Sequence, residues 1–156
     1  MTIEEFKFSI RSYNSIDELN KEDAQLLAEA RNVTKYAYAP YSKFRVGAFA
    51  RLINGQTLSG TNQENASYPA GICAERTLLS AASSLFPGIG IETIAISYNN
   101  TRGRSDTPIS RQSLVEFQER TNAIIRLILS GMEGKVLIIE NAANLLPLIF
   151  GANDIR

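Results

Sequence analysis

The chain has 156 residues, no histidine and a single cysteine, Cys73. One cysteine excludes an intramolecular disulfide, and nothing else points to an oxidising compartment. Without histidine, any metal held here must rely on that thiol, on carboxylates or on hydroxyls. An excess of one charge is also lacking, because 16 basic residues balance 16 acidic ones. No long run of either sign occurs, so neither a nucleic-acid patch nor a membrane-binding stripe is indicated. The most apolar stretch, Ile124 to Leu129, is far too short to span a bilayer. Met1 to Lys7 carries charges where a signal peptide would need an apolar run. A cytoplasmic protein with no nucleic-acid or membrane partner is expected.

What is present suits a globular domain: 44% hydrophobic and 21% charged residues. The length predicts one domain over residues 1–156, with residues 1–20 as an N-terminal extension. Ser15-Ile16-Asp17-Glu18 has the form of a capping box. Leu26, Leu27, Ala30 and Val33 recur at helical spacing, predicting a helix over Lys21 to Tyr38 that ends before Pro40. Phe44 to Ile53 reads as a strand, Asn54-Gly55 as a hairpin turn, and Thr57 to Gln63 as the partner strand. Cys73 to Ser84 reads as a helix with Leu78, Leu79 and Ala82 inward, and Ile91 to Tyr98 as a buried strand. After a polar loop, Asn99 to Thr107, a helix is predicted over Arg111 to Arg120. Ile124 to Leu129 and Lys135 to Ile139 give two further strands, and a short helix follows. This order predicts a three-layer α/β/α domain on a mixed sheet of five strands.

Cys73-Ala74-Glu75 opens a predicted helix. The partly positive helix end favours a thiolate, which is the metal-ligating form of cysteine. Glu75 is placed to point into the same cavity, and Arg76 to neutralise the thiolate. A bare Cys-x-Glu is common by chance, and alone it reads as a small buried cysteine followed by a first-turn acid. Asn62 and Glu64 alone read as a polar turn after a strand.

Context changes both readings. Tyr41-Ser42-Lys43-Phe44-Arg45-Val46-Gly47-Ala48, Gly60 to Pro69, and Cys73-Ala74-Glu75-Arg76 occur in order. Arg111-Gln112-x-Leu114-x-Glu116-Phe117 and Leu145-Leu146-Pro147-x-x-Phe150 follow. Together they resemble the short-chain cytidine deaminase family, from about the first helix to the C-terminus. The resemblance implies a homotetramer acting on pyrimidine nucleosides in salvage. The family reaction is hydrolytic deamination of cytidine or deoxycytidine, a hydrolase step on a cyclic amidine. It implies Cys73 as a zinc ligand and Glu75 as the catalytic proton shuttle. Asn62 and Glu64 would bind the ribose hydroxyls, and Phe44 would pack beside the base. The Ala74 backbone and Glu75 would meet the pyrimidine edge. Phe150 would close the site of a neighbouring subunit.

The pattern departs from the family at one place. Where the family reads Pro-Cys-Gly-x-Cys-Arg-Gln, this chain reads Pro108-Ile109-Ser110-Arg111-Gln112. Without a gap, Asp106, Thr107 and Ser110 replace the proline and the two cysteines. With a gap, the pentapeptide is deleted between Ser110 and Arg111, and the lead-in Pro108-Ile109-Ser110 favours this deletion. Either way Cys73 keeps no cysteine or histidine partner, and neutral hydroxyls are poor zinc ligands. Zinc lowers the pKa of bound water to about 7, far below that of free water, so losing the metal removes most of the nucleophile. Zinc is therefore expected to be absent or substoichiometric, and the chain to be an impaired deaminase that still binds pyrimidine nucleosides. The alternatives are an active deaminase with an unusual metal site, and a structural subunit with no ligand.

Overall fold

The structure is a computed structural model that describes residues 1–99, 108–149 and 154–155. It is built on one mixed sheet. The strands are β1 (Arg11–Tyr13), β2 (Arg45–Leu52), β3 (Thr57–Thr61), β4 (Ile91–Asn99), β5 (Arg126–Gly131) and β6 (Val136–Ile139). They lie in the order β1-β6-β5-β4-β2-β3. Among these strands β4 and β5 pair in parallel, joined by a crossover through α3 (Pro108–Thr121), and the other pairs are antiparallel. The sheet thus has six strands rather than the five expected. The addition is β1, a three-residue edge strand contributed by the N-terminal extension. Arg11-Ser12-Tyr13 is too short and too polar to show a strand period.

Two apolar clusters cover the faces of the sheet. On one side α1 (Lys21–Val33) sets Leu26, Leu27 and Ala30 against Ala95, Ile128, Val136 and Ile138. On the other, α2 (Ala74–Leu85) and α3 set Leu78, Leu79, Ala82, Leu114 and Phe117 against Ala48, Ile94, Ile96 and Leu127. Each fully buried Leu or Ile among these contributes roughly 1.5–3 kcal/mol. Strand residues alternate between the two clusters, which is why Val136 and Ile138 meet α1 while Leu137 and Ile139 face the other way.

Helix α1 is shorter than its apolar spacing suggests. It ends at Val33 and passes into a tighter turn, Thr34–Tyr36. The Thr34 hydroxyl donates to the Arg31 carbonyl at 2.7 Å, satisfying one of the helix's last acceptors. The expected capping box does not form either. Ser15 accepts from the Asp17 amide, whereas Glu18 accepts from the Asn14 amide at 2.8 Å. Asn20 caps α1 instead, accepting from the Asp23 amide at 2.9 Å.

Close approach of α2 to β3 requires a glycine. A Cβ on Gly60 would come within 2.5 Å of both the Ala74 carbonyl oxygen and the Leu78 nitrogen. Gly60 therefore sets how deep the first turn of α2 sits, and with it Cys73 and Glu75.

Candidate functional site

Backbone pairing assembles the site. Gln63 exchanges two hydrogen bonds with Ile72, at 2.9 and 3.0 Å. On its other side, the Tyr38 amide donates to the Asn62 carbonyl and the Glu64 amide to the Tyr38 carbonyl. The Asn62-Gln63-Glu64 segment is thereby laid beside Cys73, and both line a cleft of about 540 Å³. Ser42, Tyr68 and Arg76 also line it.

Cys73 is the N-cap of α2, half-buried, at the helix N-terminus that its sequence position predicts. Its thiol lies 3.0 Å from the Ser110 hydroxyl, in the first turn of α3. Ser110 itself is buried, with 2% of its surface exposed. Both registers leave Ser110 at the start of α3, as the match to the second cysteine without a gap or as the residue before the preferred deletion, and the contact suits either. Asp106 and Thr107, which the gap-free register matches to the proline and first cysteine, lie outside the described residues.

The expectation of a thiolate is corrected. Burial pushes the Cys73 thiol above its usual pKa, and the Glu75 carboxylate pushes it further. Hydrogen bonds from Ser110 and the Arg76 amide pull the other way without prevailing. Helix-end polarity is felt only through such local donors, and here desolvation of the charged form outweighs it.

Glu75 is 2% exposed and sits on the first turn of α2. Its carboxylate lies beside Cys73, acting on that thiol through its charge and a side-chain hydrogen bond, and it also lines a trough shared with Tyr98 and Arg111. Ala74 between Cys73 and Glu75 is fully buried. Phe44 stacks on Tyr98 with ring centroids 6.0 Å apart and planes 13° from parallel. Phe150 lies outside the described residues.

Asn62 and Glu64 are both committed to backbone. The Asn62 side chain accepts from the Val46 amide and donates to the Phe44 carbonyl, each at 2.8 Å. It fixes the entry of β2, and so the position of Phe44. Glu64 accepts from the Tyr41 and Ser42 amides at 2.9 and 3.2 Å and from the Ser42 hydroxyl. Desolvation pushes the Glu64 carboxyl up, but these donors and nearby Lys43 hold it below the ordinary carboxylate range. It is thus an ionised acceptor at neutral pH. Sequence reasoning did not single out Ser42 or Tyr98, and it named Ser110 only as the gap-free replacement of a cysteine. The Ser42-x-Phe44 spacing was the available signal for Ser42, and the gap-free register for Ser110.

Residues 20–101 match the family model described as the cytidine and deoxycytidylate deaminase zinc-binding region. The cytidine deaminase of Halalkalibacterium halodurans is 34% identical over 131 residues, which cover 84% of this chain and 96% of that one. The chain belongs to the cytidine deaminase family. Among solved structures, the cytidine deaminase from Burkholderia pseudomallei superposes with a TM-score of 0.73 at 32% identity, over 85% of this chain and 100% of that one. The one from Mycobacterium tuberculosis gives 0.63 at 28% identity, over 81% and 95%.

Zinc is the metal this family implies, and a catalytic zinc site needs three protein ligands with one position left open. Among the described residues, no group of three or more cysteine, aspartate or glutamate side chains gathers where a metal could sit. The thiol faces a neutral hydroxyl on one side and the Glu75 carboxylate on the other. Among the described residues, Cys73 and its neighbours do not by themselves supply three ligands for such a site. No helix among the described residues is long and apolar enough to cross a membrane.

Proposed function

We propose that this cytidine deaminase family member binds pyrimidine nucleosides, holds zinc poorly or not at all, and deaminates cytidine weakly or undetectably. The observation that carries this reading is the Ser110 hydroxyl 3.0 Å from the Cys73 thiol. A hydroxyl neither carries the charge of a thiolate nor matches zinc's preference for it. One thiolate alone leaves a tetrahedral site mostly unfilled.

Binding rests on the parts that remain. Glu64, ionised and partly solvent-facing, is the acceptor for a ribose hydroxyl, with Asn62 beside it. A sugar hydroxyl would take the Glu64 oxygen that the Ser42 hydroxyl now occupies. Phe44, backed by Tyr98, gives the base an aromatic edge. The Ala74 backbone and Glu75 serve the polar edge of the pyrimidine. Phe150 completes a neighbour's site in a homotetramer.

Calorimetric titration with cytidine, uridine and free cytosine, in buffer with chelator, tests this reading. Cytidine and uridine should bind, and cytosine should bind at least tenfold more weakly, because it lacks the hydroxyls that Glu64 accepts. Glu64→Gln should erase most of that difference. Equal affinity for cytosine and cytidine, or no binding by any of them, would remove the nucleoside reading.

A further inference from the structure

The α2/α3 side of the sheet is covered only part of the way across. Helix α2 packs on β2 and β3, and α3 packs on α2 and the turn at Ala142–Leu145. A trough of about 390 Å³ remains, extending over β5 and β6. Ile96, Leu129, Leu137, Ile139 and Leu145 line it, together with Glu75 and Lys135. Of the five aliphatic side chains, Ile96 and Ile139 are buried and Leu129, Leu137 and Leu145 half-buried, which gives the trough a partly open apolar floor.

The residues before β1 match this trough in character. Ser12 pairs opposite Leu137, so Ile10, two residues earlier, falls on the trough side, and it lines the trough's edge. Phe8 and Phe6 continue the alternation. Phe6, Phe8 and Ile10 are 56%, 38% and 46% exposed, and the two rings lie 5.9 Å apart. This arm, residues 1–10, also precedes the segment that matches the family model, which begins at residue 20.

The arm does not return to its own trough. β1 runs antiparallel to β6 with Arg11 opposite Ile138, so the chain before it leaves past the end of β6. Covering its own sheet would need a sharp reversal, and residues 1–10 contain no glycine, proline, asparagine or aspartate to make one. Extended, ten residues reach roughly 30 Å, enough to lie across a neighbour. Charge agrees with that placement. Glu4 on the arm and Lys135 on the trough each make no ion pair among the described residues.

We infer that the arm seats Phe6 and Phe8 in the trough of a second copy of this chain, with Glu4 near that copy's Lys135. Exchange is reciprocal about a two-fold axis, each copy giving one arm and receiving one. The seated arm covers the trough that Glu75 helps line. The interface does not depend on whether the chain binds nucleosides or zinc.

The test uses full-length chains with Cys73→Ser, so that the only thiols are introduced ones. One population carries Phe8→Cys and the other Lys135→Cys. The two are mixed and treated with a short bifunctional maleimide. The expected result is a crosslinked dimer in the mixture. Treating a chain that carries both cysteines and finding only an internal link, with no link in the mixture, would overturn the inference, as would no link in either. A second measurement avoids reliance on labelling. Phe6→Asp with Phe8→Asp, both at exposed positions, should halve the mass seen by light scattering at fixed concentration, and an unchanged mass would equally overturn it.

Discussion

Ser110 places its hydroxyl 3.0 Å from the Cys73 thiol, across the junction where the N-termini of α2 and α3 meet. That pairing joins two helix starts, and in the gap-free register the family would have a second sulfur at this position. On that register the proposed function implies a ligand-pair geometry without its second sulfur. Converting Ser110→Cys together with Thr107→Cys should raise bound zinc toward one per chain and bring cytidine turnover with it. Adding Glu75→Ala to that variant should leave the zinc and abolish the turnover, since a proton shuttle is not a ligand. Metal analysis and a uridine-formation assay on the variants check this. Restoration by an inserted pentapeptide but not by the two substitutions would show that the register without a gap is wrong.

Asn62 and Glu64 should separate under mutation, although both belong to the same motif. Asn62→Ala leaves the Val46 amide and the Phe44 carbonyl without their side-chain partner. That should cost about 2 kcal/mol, a fall in melting temperature of roughly 4–8 °C. Glu64→Gln keeps an acceptor for the Ser42 hydroxyl and should shift the melt far less while weakening nucleoside affinity. Paired melts and titrations on the two variants give the comparison, and equal stability losses would contradict the division of labour.

The Asp23–Arg126 pair sets the acid response of the α1 side of the sheet. Arg126 donates twice to Asp23, at 2.8 Å each, and Asp23 is buried. Burial alone would push the Asp23 carboxyl up, but Arg126, helped by Asn20 and Arg51, holds it below its ordinary value. A carboxyl whose folded pKa is lowered stabilises the fold above its unfolded pKa, about 3.9, and loses that contribution as pH falls through the folded value. Asp23→Asn should therefore cost about 2 kcal/mol at pH 7. Denaturant curves should show that deficit shrinking below about pH 4. A deficit that is constant with pH would mean the ion pair contributes nothing.

Gly60→Ala tests the close approach that positions the site. Its Cβ would meet backbone atoms of α2 rather than a flexible side chain, so the helix itself must shift. A loss of about 1–3 kcal/mol is expected, together with faster alkylation of Cys73 as the first turn of α2 lifts. Unchanged stability and unchanged thiol reactivity would show that α2 is held elsewhere.

Much of this was legible in the sequence, for physical reasons that vary by element. β4 is apolar and β-branched on both faces, and its predicted span, Ile91 to Tyr98, falls one residue short of the structural one. Cys73 at the start of α2 follows from the inward spacing of Leu78, Leu79 and Ala82. β1 was not legible, because three residues on a sheet edge owe their strand to pairing with β6 and not to their own pattern. The raised pKa of Cys73 was hidden as well, since it depends on burial and on where the Glu75 charge sits. The contact with Ser110 joins residues 37 positions apart, and sequence offered two registers for it.

The central claim is that this family scaffold lacks a working zinc site. The most direct measurement is the zinc-to-chain ratio of the unmodified protein after equilibration with excess zinc and removal of free metal. The account predicts a ratio far below one, because a single thiolate beside a hydroxyl does not retain the ion. A ratio of one zinc per chain would contradict it.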